Sequence, residues 1–270
     1  MINVLNHKDK NCLNEKRNED LVILDTINNY FLKKRGYIFK LPQRGTPVLA
    51  CMSGGLDSVV NILILLKECK FKVYPFFINR GQENYVLEKE AIAYFDEYFT
   101  KEFPDRYNKT FEISIEVPSS SYKNLLKETI KDDGISYPAR NSIIFLTGAE
   151  YGYSLKTKEI EINTMFGSLV NGDTSFHCSL TWTRLMNLSI CQMINDPNWQ
   201  FTSIPIEETL GNFYDKDVLI KYAEENNFPI EHTRTCTKNT KIHCGSCPFC
   251  KYRKSSFLKA GILDKTLYEK

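Results

Sequence analysis

Ser53-Gly54-Gly55-Leu56-Asp57-Ser58 is the stretch on which the reading of this chain turns. Before it, Pro47-Val48-Leu49-Ala50-Cys51-Met52 is short and apolar, as a buried strand is. After it, Val59 to Lys67 is apolar and long enough for a helix packed on a sheet. Two glycines and two serines therefore stand where a strand turns into a helix. Free backbone N–H groups and the positive end of the helix dipole meet there, and together they attract phosphate. Glycine lets the backbone approach an anion in conformations that side chains forbid. The serine hydroxyls can donate to phosphate oxygens, and Asp57 can hold a magnesium ion or fix the loop. No GxxxxGK[ST] pattern is present and no lysine follows the glycines, so this is not the loop of the common nucleotide hydrolases.

Outward from the loop, strands and helices alternate. Glu19 to Arg35 carries Leu21, Leu24, Ile27 and Phe31 at helical spacing, and Gly36 stops it. The trio Lys33-Lys34-Arg35 reads as a solvated helix end, and the polar residues 1–19 read as a mobile arm. Phe71–Asn79 is the second strand, residues 86–103 a helix, and Phe111–Val117 the third strand. Residues 118–136 read as a loop with a turn at Asp132-Asp133-Gly134. Residues 141–154 form a helix, Glu159–Met165 the fourth strand, Asn171-Gly172-Asp173 a turn, and residues 180–194 a helix. Phe201–Ile206 is the fifth strand, and Asp215 caps a helix over residues 215–227. This alternation predicts an α/β fold, a parallel doubly wound sheet with helices on both faces. Ligands of such sheets bind beyond the carboxyl ends of the strands. The segments 53–58, 79–84, 118–141 and 165–179 all fall on that edge.

Composition sets the outer limits. A chain of 270 residues with 42% hydrophobic residues suffices for one large domain with a real core. Lys+Arg 35 against Asp+Glu 33 gives a net charge of +2, which does not support a broad nucleic-acid-binding face. No apolar run reaches membrane-spanning length, and the N-terminus lacks the apolar stretch of a signal peptide. The expectation is a cytoplasmic protein without a membrane segment. Nine cysteines is an odd number, and four of them cluster as Cys236, Cys244, Cys247 and Cys250, with spacing C-x7-C-x2-C-x2-C. Four thiolates suit tetrahedral zinc, and an iron–sulfur cluster uses the same number at a similar spacing. His243 reads as a neighbour of this set, and Cys51, Cys69 and Cys191 read as core residues.

The Ser53–Ser58 loop resembles the pyrophosphate loop of the N-type ATP pyrophosphatases, which split ATP between the α- and β-phosphates. Together with Pro138-Ala139-Arg140-Asn141 and the cysteine set it resembles the QueC family, the 7-cyano-7-deazaguanine synthases, over roughly residues 46–262. The resemblance implies a C–N ligase that turns ATP into AMP and pyrophosphate. Such an enzyme adenylates 7-carboxy-7-deazaguanine, forms an amide with ammonia, and then forms the nitrile with a second ATP. It implies ATP, Mg2+ and Zn2+ as cofactors, and a small deazapurine carboxylate plus ammonia or another amine as partners. It implies three regions: an N-terminal arm and helix (1–45), an ATP pyrophosphatase domain (46–235), and a zinc-binding segment packed on the same domain (236–270). A protein partner and a homodimer are compatible with it.

By the same resemblance, Ser53, Asp57, Ser58 and Arg140 are the catalytic candidates. ATP would be held by Ser53, Gly54, Gly55, Leu56, Asp57, Ser58, Asn79, Gly81, Gln82 and Asn141. Arg140 would sit near the α-phosphate or the substrate carboxylate, and Asn141 would cap a helix or contact the ligand. Arg80, Lys123 and Lys127 are weaker phosphate candidates. One segment departs from the family: Thr174-Ser175-Phe176-His177-Cys178-Ser179 stands where members carry Gly-Tyr-Pro-Asp-Cys-Arg. His177 replaces the acid and Ser179 the arginine. The ATP half therefore reads as intact and the substrate half as altered. Two alternatives follow: a diverged relative of anti-phage gene clusters that joins the carboxylate to a protein or other amine, and a tRNA-modifying enzyme of the same superfamily.

Overall fold

The structure, a computed structural model, describes residues 2–8, 19–133, 137–173 and 175–269. Five strands build one sheet: β1 (Pro47–Cys51), β2 (Lys72–Asn79), β3 (Phe111–Ser114), β4 (Thr164–Phe166) and β5 (Gln200–Thr202). All pairings are parallel, in the order β3-β2-β1-β4-β5. The helices are α1 (Leu21–Arg35), α2 (Leu56–Lys67), α3 (Tyr85–Glu102), α4 (Lys123–Asp133), α5 (Arg140–Ser154), α6 (Leu180–Ile194), α7 (Lys216–Glu225) and α8 (Pro248–Ala260). This is the doubly wound α/β architecture that the alternation predicts.

Central β1 is apolar on both faces because helices cover both. Val48 and Ala50 join one core with the buried side of α2, Phe95 and Phe99 of α3, Val218 and Leu219 of α7, and Phe257 of α8. Leu49 joins the other core with Ile27 and Phe31 of α1, Phe145 of α5 and Ile190 of α6. Gly148 brings α5 against the sheet, since a Cβ there would lie 2.4 Å from the Phe76 ring. The order of connection reverses between β1 and β4, which opens a crevice beyond their carboxyl ends.

Several expectations are corrected. The helix after the Ser53–Ser58 loop starts at Leu56, whose side chain is buried. Lys123–Asp133 is a helix, α4, where a loop was expected; Asp132 and Asp133 lie in it, and Gly134 lies outside the described residues. Its Lys, Leu and Glu residues favour helix, which outweighs the loop-like flanking composition. The fourth strand keeps only Thr164–Phe166, because Glu159 takes a left-handed conformation after the turn Leu155–Lys158. The fifth ends at Thr202, where Ile204–Ile206 coils into a short turn around Pro205, which cannot extend a ladder. The third ends at Ser114, opposite the last residue of β2.

Two segments read as solvated make contacts with the body, although Lys33 and Lys34 are exposed as expected. Residues 2–8 dock on the body: Val4 is buried and accepts from the Tyr214 hydroxyl, and Asn6 and His7 donate N–H bonds to Asn212 Oδ1 at 2.6 and 2.9 Å. Residues 9–18 lie outside the described residues. Arg35 is packed over the Phe31 and Tyr37 rings and donates to the carbonyls of Pro197 and Trp199.

Arg184 of α6 and Glu207 form an ion pair at 2.9 and 2.7 Å with side chains only 1% and 0% exposed. Thr202 and Thr209 hydroxyls also donate to Glu207. Burial raises the Glu207 pKa, but Arg184 and these bonds outweigh it and leave it below its ordinary value. A lowered acid pKa adds stability that is complete above the ordinary glutamate value of 4.5 and is lost as pH falls through the folded value beneath it. Glu207→Gln leaves the guanidinium buried without its countercharge. The expected loss, read by urea unfolding at neutral pH, is about 3–5 kcal/mol, and the difference from wild type shrinks in acid.

Candidate active site

The Ser53–Ser58 loop closes on itself. The Ser58 hydroxyl donates to the Gly55 carbonyl at 2.9 Å and accepts from the Ser53 N–H at 3.1 Å. Ser53 Oγ lies 3.0 Å from Ser58 Oγ and accepts from the Gly55 N–H. The two serines thus shape the loop, and Ser58 is buried in doing so. Gly54 has φ +69° and packs against Ala91 and the Glu88 carbonyl, where a Cβ would sit at 3.0 Å from each. Gly55 precedes α2 without a side-chain cap, so the start of α2 can offer its first N–H groups to an anion.

Asp57 brings in residues that the sequence did not single out. Its Oδ2 is 3.0 Å from Lys216 Nζ, at the start of α7. The ammonium also lies 4.5 Å from the centre of the Tyr252 ring, and the Tyr252 hydroxyl donates to Asp215. Asp57 Oδ1 is buried with no hydrogen-bond partner. Burial pushes the Asp57 pKa up, against the pull of Lys216. An orphaned carboxylate oxygen beside a ring of phosphate-seeking N–H groups fits a hard cation such as magnesium. Nothing local in the sequence marks Lys216; only α7 folding back beside α2 makes it a partner.

Beyond β2, Gly81 turns the chain with φ +72° and donates its N–H to Asn79 Oδ1. Gln82 accepts from the Arg80 N–H and donates to Glu88 at 2.6 Å. Burial raises the Glu88 pKa against Gln82 and Arg80. Across the crevice, Ala139 precedes α5 in a left-handed conformation, so Asn141 lies inside the helix and is not its cap. Its Nδ2 instead reaches the His177 carbonyl at 3.3 Å and Cys178 Sγ at 3.6 Å. Arg140 Nη2 lies 3.5 Å from His177 Nε2. Burial, then Arg140, lowers the His177 pKa, so the ring is neutral at pH 7. Lys123 and Lys127 lie on α4, and their side chains form none of the hydrogen bonds that tie these groups together.

Cys236, Cys244, Cys247 and Cys250 are buried and their sulfurs lie within 4.8 Å of one another. Thiolates about 2.3 Å from one tetrahedral ion stand about 3.8 Å apart, so the set fits zinc and is too tight to enclose a four-iron cluster. Backbone N–H groups of Cys247 and Cys250 point at Cys244 and Cys247 sulfurs at 3.3 and 3.4 Å. Hydrogen bonds from Ser246 bring the Cys244 pKa down to about 5, so its thiolate is ready at neutral pH. His243 is a neighbour, not a ligand: its Nε2 accepts from the Thr235 N–H, and burial lowers its pKa to about 4. Next to this centre, the Cys236 carbonyl accepts from Asn84 Nδ2, just before α3, at 3.1 Å, and the N–H of Arg234, two residues before Cys236, donates to the Gly54 carbonyl of the loop at 2.8 Å.

Residues 47–261 match the family model of queuosine biosynthesis protein QueC. The chain belongs to the QueC family. Among its relatives, the 7-cyano-7-deazaguanine synthase of Acetivibrio thermocellus is 31% identical over 80% of this chain and 95% of its own. That of Thermoplasma volcanium is 28% identical over 81% and 89%, and 7-cyano-7-deazaguanine synthase 1 of Desulfitobacterium hafniense 25% over 77% and 90%. The match takes in the loop, the Arg140 segment and all four cysteines, and leaves out the first 46 residues of this QueC-family chain. Among the described residues, no helix is long and apolar enough to cross a membrane.

Proposed function

We propose that this chain is a 7-cyano-7-deazaguanine synthase-like ligase that adenylates a deazapurine carboxylate, 7-carboxy-7-deazaguanine or a close analogue. The observation that carries the reading is the uncapped start of α2 beside the orphaned Asp57 oxygen, in a chain whose relatives bear that enzyme name. The loop holds the β- and γ-phosphates, and a carboxylate oxygen attacks the α-phosphorus. The bond to the β-phosphate breaks and pyrophosphate leaves. An amine nitrogen then attacks the acyl carbon, AMP leaves, and the nitrogen loses a proton. For the nitrile, the amide oxygen is adenylated in turn and departs with AMP as the nitrogen loses its remaining protons.

Asp57 would hold magnesium, which would neutralise charge on the phosphates. Lys216 supplies a fixed positive charge at the same place, and Arg140 one on the acceptor side. Placement and charge neutralisation dominate such chemistry. Residues 46–235 would form the catalytic body, and the zinc-binding segment from Cys236 would buttress it.

The second reading concerns the amine. By the family resemblance, His177 and Ser179 stand in place of an acid and an arginine, which sets a neutral imidazole beside Arg140 on the acceptor side. An amine carried by a protein could then replace ammonia, with the reaction stopping at the amide. The test is AMP and pyrophosphate release with 7-carboxy-7-deazaguanine, with ammonia or with a protein amine, followed by mass spectrometry of the product. Asp57→Ala is expected to lower AMP release by at least about a hundredfold; full activity in that variant would remove the loop from the active site.

A further inference from the structure

The start of α6 is held by a carboxylate from outside the matched family region. The first three N–H groups of this helix all have partners. Leu180 donates to Glu19 Oε1 and Thr181 to Glu19 Oε2, both at 2.7 Å, and Trp182 donates to its own cap, Ser179 Oγ, at 3.0 Å. The Thr181 hydroxyl adds a third bond to Glu19 at 2.6 Å. An anion there also matches the helix dipole. Glu19 is itself anchored: Asp20 caps α1 through the Ile23 N–H and donates its own N–H to Thr181 Oγ1 at 3.1 Å. The other described end of the extension is pinned too, with the Ile2 N–H on Glu225 and the Phe213 N–H on the His7 carbonyl.

We infer that Glu19 is a positioning residue that fixes the acceptor-side segment 175–179 against Arg140 and Asn141. The inference rests on the proposed function for its link to an acceptor. The residues just before α6 carry the contacts that face the acceptor: the His177 ring at Arg140, and the His177 carbonyl and Cys178 sulfur at Asn141. Glu19 grips the helix that this segment runs into. The ATP loop is held elsewhere, by Arg234 and by the packing of Gly54 on α3. Removing the carboxylate therefore loosens one half of the site and leaves the other.

The full chain with Glu19→Ala or Glu19→Gln tests this. In ligand-free protein, hydrogen exchange at Leu180, Thr181 and residues 175–179 is expected to quicken about tenfold in Glu19→Ala, with residues 53–58 unchanged. With 7-carboxy-7-deazaguanine as acceptor, its KM is expected to rise about tenfold while the KM for ATP stays within twofold. Glu19→Gln, which keeps an accepting oxygen, recovers part of the effect, and added acetate recovers part of it in Glu19→Ala. Unchanged exchange at 175–181, or equal rises in both KM values, would overturn the inference. If the wild-type chain makes no AMP with any acceptor, the proposed function fails, and the exchange measurement still decides the role of Glu19.

Discussion

Cys244→Ser is expected to empty the metal centre, free the chain from Cys236 onward, and lower AMP formation by at least about a hundredfold. Four buried sulfurs within 4.8 Å cannot lose one member and keep a closed tetrahedral site. Structural zinc contributes about 10–16 kcal/mol of apparent binding energy in small domains, as much as the whole stability of a typical fold, about 5–15 kcal/mol. The rest of the C-terminal segment's hold on the body is ordinary packing and hydrogen bonding: Phe257, Ala260 and Ile262 sit on the main core, Arg253 bonds Thr233 and the Ile230 carbonyl, and Tyr252 bonds Asp215. The effect reaches the ATP loop because Arg234, two residues before the first ligand, donates to the Gly54 carbonyl, and Asn84 bonds the Cys236 carbonyl. Metal content by mass spectrometry, limited proteolysis after Cys236 and AMP release should change together. One zinc per chain with full AMP release in Cys244→Ser would overturn the assignment, and iron with sulfide in the wild type would replace zinc with a cluster.

The difference between what was legible and what was not follows sequence distance. β1, the glycine loop and α2 form one continuous stretch, so their chemistry could be read locally. The cysteine set could be read for the same reason, since three of its ligands fall within seven residues. Asp57–Lys216 could not, because the pair exists only once α7 lies beside α2. Asn141 sits where a helix cap is expected, and only the left-handed Ala139 moves the helix start and turns that amide toward Cys178. The polar composition of residues 1–19 reads as a mobile arm, yet residues 2–8 are docked. The Asn212 side chain, far along the chain, supplies the acceptor that their backbone needs. Arg35 was read from its charge, whereas its place is decided by two rings and two carbonyls.

Lys216→Met is expected to cut AMP formation by about 10²–10³ while the chain stays folded. Methionine keeps most of the length of the buried apolar stem, so the packing survives while the ammonium over the Tyr252 ring is lost. Two consequences separate a charge effect from a packing defect. Burial raises the Asp57 pKa and Lys216 is the main influence pulling it back down, so removing the ammonium moves that pKa further up. The acid limb of the pH–rate profile for ATP then shifts to higher pH. Stability moves the opposite way with pH. A carboxyl whose folded pKa is raised favours the fold below its unfolded value, and that advantage is lost as pH rises through the folded one. Relative to wild type, the variant therefore loses more stability at neutral pH than near pH 4. Lys216→Arg, which keeps the charge with a wider head, should retain part of the rate and restore the acid limb. Unchanged AMP formation in Lys216→Met, or a rate loss with no shift in the pH profile, would show that the ammonium serves the fold and not the phosphates.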